Sequence, residues 1–240
     1  MSRLEEDCYE RMQYREEHID DILSLLYPQL TKPLNECEVL DMGCGIGGLS
    51  IPTASRVRSI KGIDLSKSYI TICEEKATSR GLDNAEFEVR SLFELEEKER
   101  YDIVLCSDVL EHVSNQNELL KKIVQTLKDG GVFYLTTNNK YWPMEGHYGL
   151  LFLSYQSREK ALKRIIRKKK GNVYNVYPIS YKDLRNLLAR HPIEYEFKPP
   201  RNPENTAYKV GSWLIRRSSF FWNFSNAFQV IGKKRSSLEG

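Results

Sequence analysis

The sequence predicts an α/β protein built on a parallel sheet with helices on both faces. Three observations support this prediction. Short apolar runs alternate with helical patterns over the first 140 of 240 residues, as in βαβ units. A glycine-rich turn follows the first apolar run at residues 43–48, and Asp64 ends the second. The length suits one substantial domain rather than two independent ones.

The first part of the chain contains a leading helix and five strands. The helix is predicted over residues 9–29, where an apolar stripe precedes the helix breakers Pro28 and Pro33. The predicted strands are Glu38–Met42, Ser59–Asp64, Glu86–Arg90, Asp102–Ser107 and Val132–Thr137. Helices are predicted between them near residues 47–56, 66–79, 92–98 and 115–128. The last helix ends in Lys128-Asp129-Gly130-Gly131, where glycine permits a left-handed turn into the next strand.

The alternation stops at Asn138. Residues 150–171 are apolar at first and strongly basic later. A helix is then predicted over 180–190, with Ser180 as its N-cap and Asp183 at its third position. The remaining predicted elements are a strand at Ile193–Phe197, a helix over 205–219 and a last strand at Ala227–Ile231.

Composition excludes several classes of protein. No stretch approaches the roughly 18 apolar residues of a membrane-spanning helix. The acidic N-terminus lacks the apolar segment of a secretory signal. The five cysteines, at 8, 37, 44, 73 and 106, are odd in number and lack CxxC spacing, which excludes a disulfide framework or a thiolate zinc site. We therefore expect a cytoplasmic protein.

The net charge of +3 conceals a strong asymmetry. Residues 1–140 contain 17 Lys and Arg against 26 Asp and Glu, whereas residues 141–240 contain 19 against 7. The balance thus changes from −9 to +12. This split indicates a different surface in the second part of the chain.

The strongest motif is the glycine run that follows the first strand. Gly43, Gly45 and Gly48 satisfy the GxGxxG pattern, in which glycines let the backbone approach a ligand closely. Asp64, at the end of the next strand, is placed to accept hydrogen bonds from ribose hydroxyls. Alternatively, the run is a tight turn without a ligand. Asp41, two residues before the first glycine, favours a cationic sulfonium ligand over the pyrophosphate of NAD.

With two further runs, Tyr101–Val113 and Leu127–Gly131, the sequence resembles the class I S-adenosylmethionine-dependent methyltransferases. The resemblance implies a Rossmann-like seven-stranded sheet, whose last strand lies antiparallel beside the fifth, with a helical lid inserted after strand five. It implies that Gly43, Cys44 and Gly45 receive the methionine portion of the cofactor, Asp64 the ribose and Leu65 the adenine. Residues 107–109, including Ser107 and Asp108, would border the sulfonium. Ser91, followed by Leu92, stands where the family often has an adenine-binding aspartate.

The resemblance also suggests a division of the single domain. Residues 1–35 form an N-terminal helical cap, 36–140 the cofactor-binding half and 179–240 the C-terminal half of the sheet. Residues 141–178 form a basic insertion or lid, which we call the insertion.

The segment after the fourth strand carries the candidate catalytic residues. His112 is the best candidate for a general base, because it follows the strand at the edge where ligands bind and has a suitable pKa. Alternatively, it is a structural histidine. Glu111 is a second candidate, or it orients the local backbone.

Asp108, Glu111 and His112 also suggest a metal site. Together they offer hard ligands to Mg²⁺ or a similar ion. The ubiquinone-biosynthesis O-methyltransferases have a similar acidic-x-x-Glu-His stretch that serves a divalent metal. Here the first acid is Asp rather than Glu, one methylene shorter, so the metal stays an open alternative.

The insertion and the C-terminal tail suggest what kind of partner the protein has. Residues 158–170 carry eight positive charges and one negative charge, with apolar residues at helical spacing. Such a helix packs on the domain, contacts anionic membrane or a lipid-linked substrate, or binds nucleic acid. Trp142 and His147 are candidate substrate-side residues. The aromatic residues of the tail 213–224 either pack under the last strand or add to this surface.

The leading functional hypothesis is O-methylation of a small or lipid-linked molecule. The amines of adenine and cytosine are disfavoured as acceptors, because no Asn/Asp-Pro-Pro-aromatic run follows the fourth strand. A nucleic-acid partner is not expected. Two alternatives remain open at this stage. One is an RNA or protein methyltransferase, and the other is a non-catalytic S-adenosylmethionine-binding adaptor.

Overall fold

The computed structural model describes residues 17–199, 222 and 225–236. Their main feature is a seven-stranded sheet. In chain order its strands are β1 Glu38–Met42, β2 Ser59–Asp64, β3 Ala85–Val89, β4 Tyr101–Ser107, β5 Leu127–Asn138, β8 Ile193–Lys198 and β9 Ala227–Lys234. Two short strands between β5 and β8, β6 Met144–Glu145 and β7 Leu150–Leu151, form a separate hairpin.

The order of the strands confirms the predicted sheet. It is β3-β2-β1-β4-β5-β9-β8, and β1 to β5 pair in parallel. β9 pairs antiparallel with β5 on one side and with β8 on the other. The sheet therefore reverses direction beside its fifth strand, as the resemblance implied. The carboxyl ends of β1, β2 and β4 meet at one edge, where ligands bind in open α/β sheets.

Six helices occur in the described part of the chain: α1 Ile19–Leu26, α2 Ser50–Ala54, α3 Lys67–Ser79, α4 Gln116–Thr126, α5 Arg158–Arg167 and α6 Tyr181–Leu188. Side-chain caps set several of their N-termini. Ser66 and Asn115 accept hydrogen bonds from the amides of Tyr69 and Glu118. Ser180 accepts from the Asp183 amide at 3.2 Å and donates to its carboxylate at 2.7 Å, which confirms the predicted cap of α6.

Three helix predictions were too long. The helix predicted over 47–56 is only α2, because the chain turns through the glycine run before Ser50. Residues 92–98 contain a single 3₁₀ turn, Leu92–Glu94. The helix predicted over 115–128 ends at Thr126, and the chain then enters β5 directly. Gly130 has the expected positive φ of 71°, but it lies within the strand.

Alternating side chains of the strands build the core on the two faces of the sheet. On β4, Ile103 and Leu105 belong to one apolar cluster, whereas Val104 and Cys106 belong to the other. Buried residues of α1 cover the first face. Buried residues of α4 and α6 cover the second. The sheet is thus covered on both sides, as predicted.

The insertion has a small core of its own. Leu150, Leu153, Ala161, Ile165, Tyr174 and Val176 form this cluster. The apolar side of α5 therefore packs within the insertion, while Lys160, Lys163 and Arg167 are exposed. Lys168, Lys169 and Lys170 follow the helix and are exposed as well. A helix forms where the basic amphipathic pattern predicted one.

Some predictions concern residues whose structure is not described. The start of the leading helix, residues 9–16, and the helix predicted over 205–219 lie outside the described residues. From the aromatic tail, Trp222 is described: it is buried and stacks on Tyr181 with ring centroids 5.7 Å apart. Within the described ranges, none of the helices is long and apolar enough to cross a membrane.

Candidate active site

The glycine run folds into a tight loop above the ends of β1 and β4. The Gly43 and Cys44 amides donate to the Ile63 carbonyl at 2.8 and 3.0 Å. Gly43 has a φ of +74°, and a Cβ on it would lie 2.5 Å from a methyl carbon of Val109. Position 43 therefore requires glycine for two reasons: its φ is positive, and the chain after β4 passes too close for a side chain.

Asp64 joins this loop to the end of β2. Its carboxylate accepts one hydrogen bond on each oxygen, from the Gly45 amide at 3.0 Å and from the Ser66 amide at 2.9 Å. A carboxylate has about four acceptor positions, so two remain for the pair of hydroxyls of a ribose. Leu65, next in the chain, is 75% exposed. The ribose and adenine roles of these two residues stay predictions, and the geometry suits both.

Asp41 and Cys44 lie beneath the loop rather than on its open side. The Asp41 carboxylate is 2% exposed and accepts a hydrogen bond from Ser50 Oγ at 2.5 Å. The Cys44 side chain is buried in a small cluster with Cys73. These side chains therefore support the loop from below, which leaves backbone atoms of residues 43–45 for a ligand. Direct contact of Asp41 with a ligand stays a prediction.

Ser91 lies at the start of the 3₁₀ turn that follows β3. Its Oγ accepts a hydrogen bond from the Phe93 amide at 3.3 Å, so it caps this turn. Leu92 is half-buried, and Phe93 is exposed. The adenine-side role of Ser91 and Leu92 stays a prediction. Phe93 adds an exposed aromatic ring beside them that sequence reasoning did not single out.

Asp108 sits in a strained turn directly after β4. Its φ is +57°, and its amide and its Oδ1 both bond Thr136 Oγ1, at 3.1 and 2.8 Å. Ser107 Oγ also lies 2.8 Å from that hydroxyl. Thr136 on β5 thus holds both predicted cofactor-side residues in place.

Glu111 is a buried carboxylate with 0% exposure. Its Oε2 accepts from Thr137 Oγ1 at 2.8 Å, and its Oε1 accepts from Asn138 Nδ2 at 3.0 Å. Burial, followed by the nearby charge of Asp108, raises the pKa of Glu111 from 4.5 to about 7, although the Thr137 hydrogen bond opposes the change. The protonation state of this carboxyl therefore changes near pH 7.

His112 meets a partner from the insertion. Its Nε2 lies 3.1 Å from Nε2 of His147, and the two rings are perpendicular. His147 Nδ1 in turn lies 2.8 Å from Oε1 of Glu145, which is 5% exposed. Burial alone would raise the pKa of Glu145, but the hydrogen bonds from His147 and from the Tyr148 amide leave it below its usual value.

The structure changes the predicted metal-ligand set. Potential ligand atoms of Glu111, His112 and His147 lie within 4.8 Å of one another. The predicted third ligand, Asp108, is not in this group, because it is turned toward Thr136. Sequence reasoning also missed Glu145. The sequence signal that could have identified Glu145 is its position two residues before a histidine, in a loop expected to lie over the acceptor site.

The other substrate-side candidate, Trp142, lies in the loop between β5 and β6. Its side chain is exposed, and its amide donates to the Asn139 carbonyl at 3.1 Å. Contact of Trp142 with an acceptor stays a prediction.

Comparison with known proteins identifies the family of this chain. The profile of a methyltransferase domain family matches residues 34–187, more than half of the chain. The chain belongs to this methyltransferase family. The match includes the glycine loop, Asp64 and the whole Glu111–His112–His147 group, and it confirms the predicted resemblance.

Curated relatives of this methyltransferase are named ubiquinone biosynthesis O-methyltransferase. The one from Pelagibacter ubique is 34% identical over 109 residues, which cover 45% of either chain. The one from Coxiella burnetii is 30% identical over 124 residues, or 51% of this chain and 53% of the relative. The chain thus matches about half the length of these relatives.

Solved structures agree on the fold. A S-adenosylmethionine-dependent methyltransferase from Clostridium acetobutylicum has a TM-score of 0.64 at 13% identity, over 95% of this chain and all of the other. Magnesium protoporphyrin IX methyltransferase from Synechocystis, with bound S-adenosylhomocysteine, has a TM-score of 0.59 at 18% identity, over 91% of this chain and 83% of the other. At these identities the likeness shows a shared fold.

Proposed function

We propose that this methyltransferase transfers a methyl group from S-adenosylmethionine to a hydroxyl of a small, lipid-linked molecule. One observation carries the proposal. The loop held by Asp64 and the turn that carries His112 follow neighbouring strands of one sheet, and Val109 of that turn lies against Gly43. A methyl donor on the loop would therefore lie beside the groups that could act on an acceptor.

The relatives support oxygen as the acceptor atom. They are named as O-methyltransferases of ubiquinone biosynthesis. Residues 34–187, which match the methyltransferase family, contain the proposed cofactor loop. The sequence adds a negative argument, since it lacks the Asn/Asp-Pro-Pro-aromatic run of enzymes that methylate base amines.

Transfer to oxygen requires alignment, exclusion of water and removal of one proton. The oxygen attacks the methyl carbon in line with the breaking carbon–sulfur bond, and the hydroxyl proton must leave. His112 is exposed at this place, and in the metal-free site its imidazole would accept that proton. Glu111 supports the turn from inside through Thr137 and Asn138.

The resemblance also implies a divalent ion. The residues that would hold it here are Glu111, His112 and His147, whose ligand atoms are close enough together. A divalent ion bound there would lower the pKa of an adjacent hydroxyl.

We also propose that the insertion contacts the surface of anionic membrane, which places a cytoplasmic protein next to a lipid-linked acceptor. Eight large apolar side chains in residues 141–173 are between 40% and 55% exposed: Tyr141, Trp142, Met144, Leu151, Phe152, Tyr155, Ile166 and Val173. The exposed cations of α5 and of residues 168–170 lie beside them in the chain. Apolar side chains flanked by cations suit an anionic interface.

Incubation with methyl-labelled cofactor tests the proposed reaction. The protein is incubated with a lysate fractionated into lipid, RNA and protein, and Asp64→Ala serves as the control for cofactor dependence. We expect the parent protein to transfer label into the lipid extract and the Asp64→Ala variant to transfer none. Label in RNA or protein would instead support the alternative enzymes, and cofactor binding without transfer to any fraction would support the adaptor.

A further inference from the structure

We propose that Glu111, His112 and His147 bind a first-row transition ion of the zinc class, and that Glu145 orients His147 for this task. The ligand set differs from the one that the resemblance implied, because the insertion provides a histidine in place of Asp108. The use of the ion in catalysis rests on the proposed function, whereas its binding can be tested separately.

The two histidines are arranged as ligands of one ion. They are two of only four in the chain, and they come from different elements 35 residues apart. Their Nε2 atoms face each other at 3.1 Å. Two imidazole nitrogens on one zinc ion, with bonds of about 2.0–2.1 Å, lie about 2.9–3.4 Å apart for bond angles between about 90° and 110°. The observed separation falls in this range.

Glu145 fixes the orientation of the insertion histidine. Its Oε1 bonds His147 Nδ1 at 2.8 Å, and its Oε2 accepts from the Tyr148 amide at 2.8 Å. In the tautomer with the proton on Nδ1, the N–H donates a hydrogen bond to this carboxylate. Nε2 of His147 then keeps a lone pair, which is directed at His112. A carboxylate behind a ligating histidine is the usual outer support of a metal site.

Glu111 completes the group with a carboxylate that is already held in place. Thr137 uses one acceptor position on Oε2, and Asn138 uses one on Oε1. Each oxygen therefore keeps a lone pair for an ion. Ligating carboxylates commonly have such hydrogen bonds as well, so the contacts orient Glu111 without occupying it.

The nature of the ligands selects the ion. Mg²⁺ prefers oxygen ligands, whereas imidazole nitrogens suit zinc, iron and nickel. Two imidazoles and one carboxylate therefore favour a transition ion. Three protein ligands leave a tetrahedral ion one open position, as in catalytic rather than structural sites.

The site would also join the insertion to the core. Glu111 and His112 follow β4, whereas Glu145 and His147 belong to the β6–β7 hairpin. An ion held by residues of both would stabilise the packing of the insertion against the core, so binding should raise the unfolding temperature.

Titration of the chelator-treated 240-residue chain tests the inference. Zn²⁺ and Mg²⁺ are followed by calorimetry, and Co²⁺ by its visible absorption. We expect one equivalent of Zn²⁺ to bind, at least 100-fold more tightly than Mg²⁺. His147→Ala should weaken Zn²⁺ binding by a factor of 100 or more, and Glu145→Gln by roughly 10–100-fold. Two further variants should change Zn²⁺ affinity less than threefold: His18→Ala, which removes a half-buried histidine next to α1, and Asp108→Asn, which alters the ligand that the resemblance implied.

The inference is overturned by an absence of Zn²⁺ binding, by equal affinity for Mg²⁺, or by binding that Asp108→Asn abolishes and His147→Ala does not. A sulfur-to-cobalt charge-transfer band would place the ion on cysteine and would overturn it too. Thermal unfolding of each variant checks its fold, and His147→Gln replaces a variant that fails to fold. S-adenosylhomocysteine binding is measured on the same sample. If it persists without Zn²⁺ binding, the ion site is wrong while the methyltransferase proposal stands.

Discussion

His112 Nε2 lies 3.1 Å from His147 Nε2, although one residue follows a core strand and the other belongs to the insertion. The insertion returns to the same turn from its far end, since the Tyr177 amide donates to the Glu111 carbonyl at 2.6 Å. Gln116 Nε2 then donates to both the Leu110 and Tyr177 carbonyls, at 3.1 and 2.8 Å. The insertion is therefore part of the candidate active site and not an appendage to it.

Replacement of His112 should separate catalysis from cofactor binding. We expect His112→Ala to lower turnover by roughly 10²–10⁴-fold, the usual contribution of a proton-transfer group. The affinity for S-adenosylhomocysteine should stay within about twofold of the parent, because the cofactor loop is held by Asp64 and not by His112. Turnover is measured across pH 6–9 with and without Zn²⁺, against His18→Ala. Full activity of His112→Ala at every pH would make His112 purely structural.

Asp64→Ala should weaken cofactor binding strongly. The variant loses two predicted charge-assisted bonds to ribose, each worth roughly 1.5–3 kcal/mol, and it releases the Gly45 amide as well. We expect the dissociation constant for S-adenosylhomocysteine to rise by roughly 100-fold or more in calorimetry. Glu74→Ala, an exposed acidic residue on α3, is the matched control. Tighter binding of NAD than of S-adenosylhomocysteine by the parent protein would contradict the cofactor assignment.

Two glycines of the loop should differ in their tolerance of alanine. Gly43 and Gly45 both have positive φ, so each alanine variant should lose about 1–2 kcal/mol of unfolding free energy. Only at Gly43 does the added Cβ meet Val109, at 2.5 Å, whereas no atom lies within 4 Å of the Cβ position at Gly45. Gly43→Ala should therefore cost roughly 1–3 kcal/mol more in denaturant unfolding. Equal losses would mean that Val109 does not pack on the loop.

Glu111 should make the stability of the protein depend on pH. Its folded pKa of about 7 exceeds the unfolded value of 4.5, so the folded state holds the proton more tightly between these values. The tighter proton binding adds about 3 kcal/mol at most to the free energy of unfolding. This stabilisation is complete below about pH 4.5 and is lost as the pH rises to about 7. Glu111→Gln should remove this dependence, so the variant gains stability relative to the parent with rising pH.

Urea unfolding of both proteins at several pH values, with a chelator present, measures the difference. An unchanged gap between the parent and Glu111→Gln across this range would show that Glu111 is ionised in the folded protein as easily as in the unfolded one. Addition of Zn²⁺ to the parent at high pH should restore stability, because the ion compensates the buried charge.

The sheet was predictable because its signals are local. Apolar runs mark each strand, Asp64 marks the end of β2, and the glycine loop marks the turn after β1. Helix lengths were harder to predict. The glycine turn shortens α2 to five residues, and β5 extends back to Leu127 because its first residues pair with the start of β4. Tertiary pairing thus overrode the helical pattern at the end of α4, whereas the local glycine turn did so at the start of α2.

The candidate site was predicted only in part, for a different reason. Asp64, Glu111 and His112 lie next to strand ends, so the sequence places them at the ligand edge of the sheet. The pairing of His112 with His147, and the support from Glu145, depend on how the insertion folds back over that edge. Sequence spacing does not determine that path, because the hairpin and the small core of the insertion set it.

The last prediction concerns the insertion and anionic lipid. Each basic residue near such a surface contributes about 1 kcal/mol, so the cations of residues 158–170 should give measurable binding to acidic vesicles that falls as salt rises. Neutral vesicles should bind far less, because the exposed apolar side chains come from short segments. Changing Lys168, Lys169 and Lys170 together to glutamate should abolish vesicle sedimentation and leave S-adenosylhomocysteine affinity unchanged.

The matched control reverses three exposed lysines outside the insertion, Lys98, Lys121 and Lys182, and should keep most of the binding. If both triple variants lose binding equally, overall charge and not the insertion holds the protein to lipid. If the parent sediments equally with acidic and neutral vesicles, or with neither, the basic helix serves only as the solvated outer side of the lid.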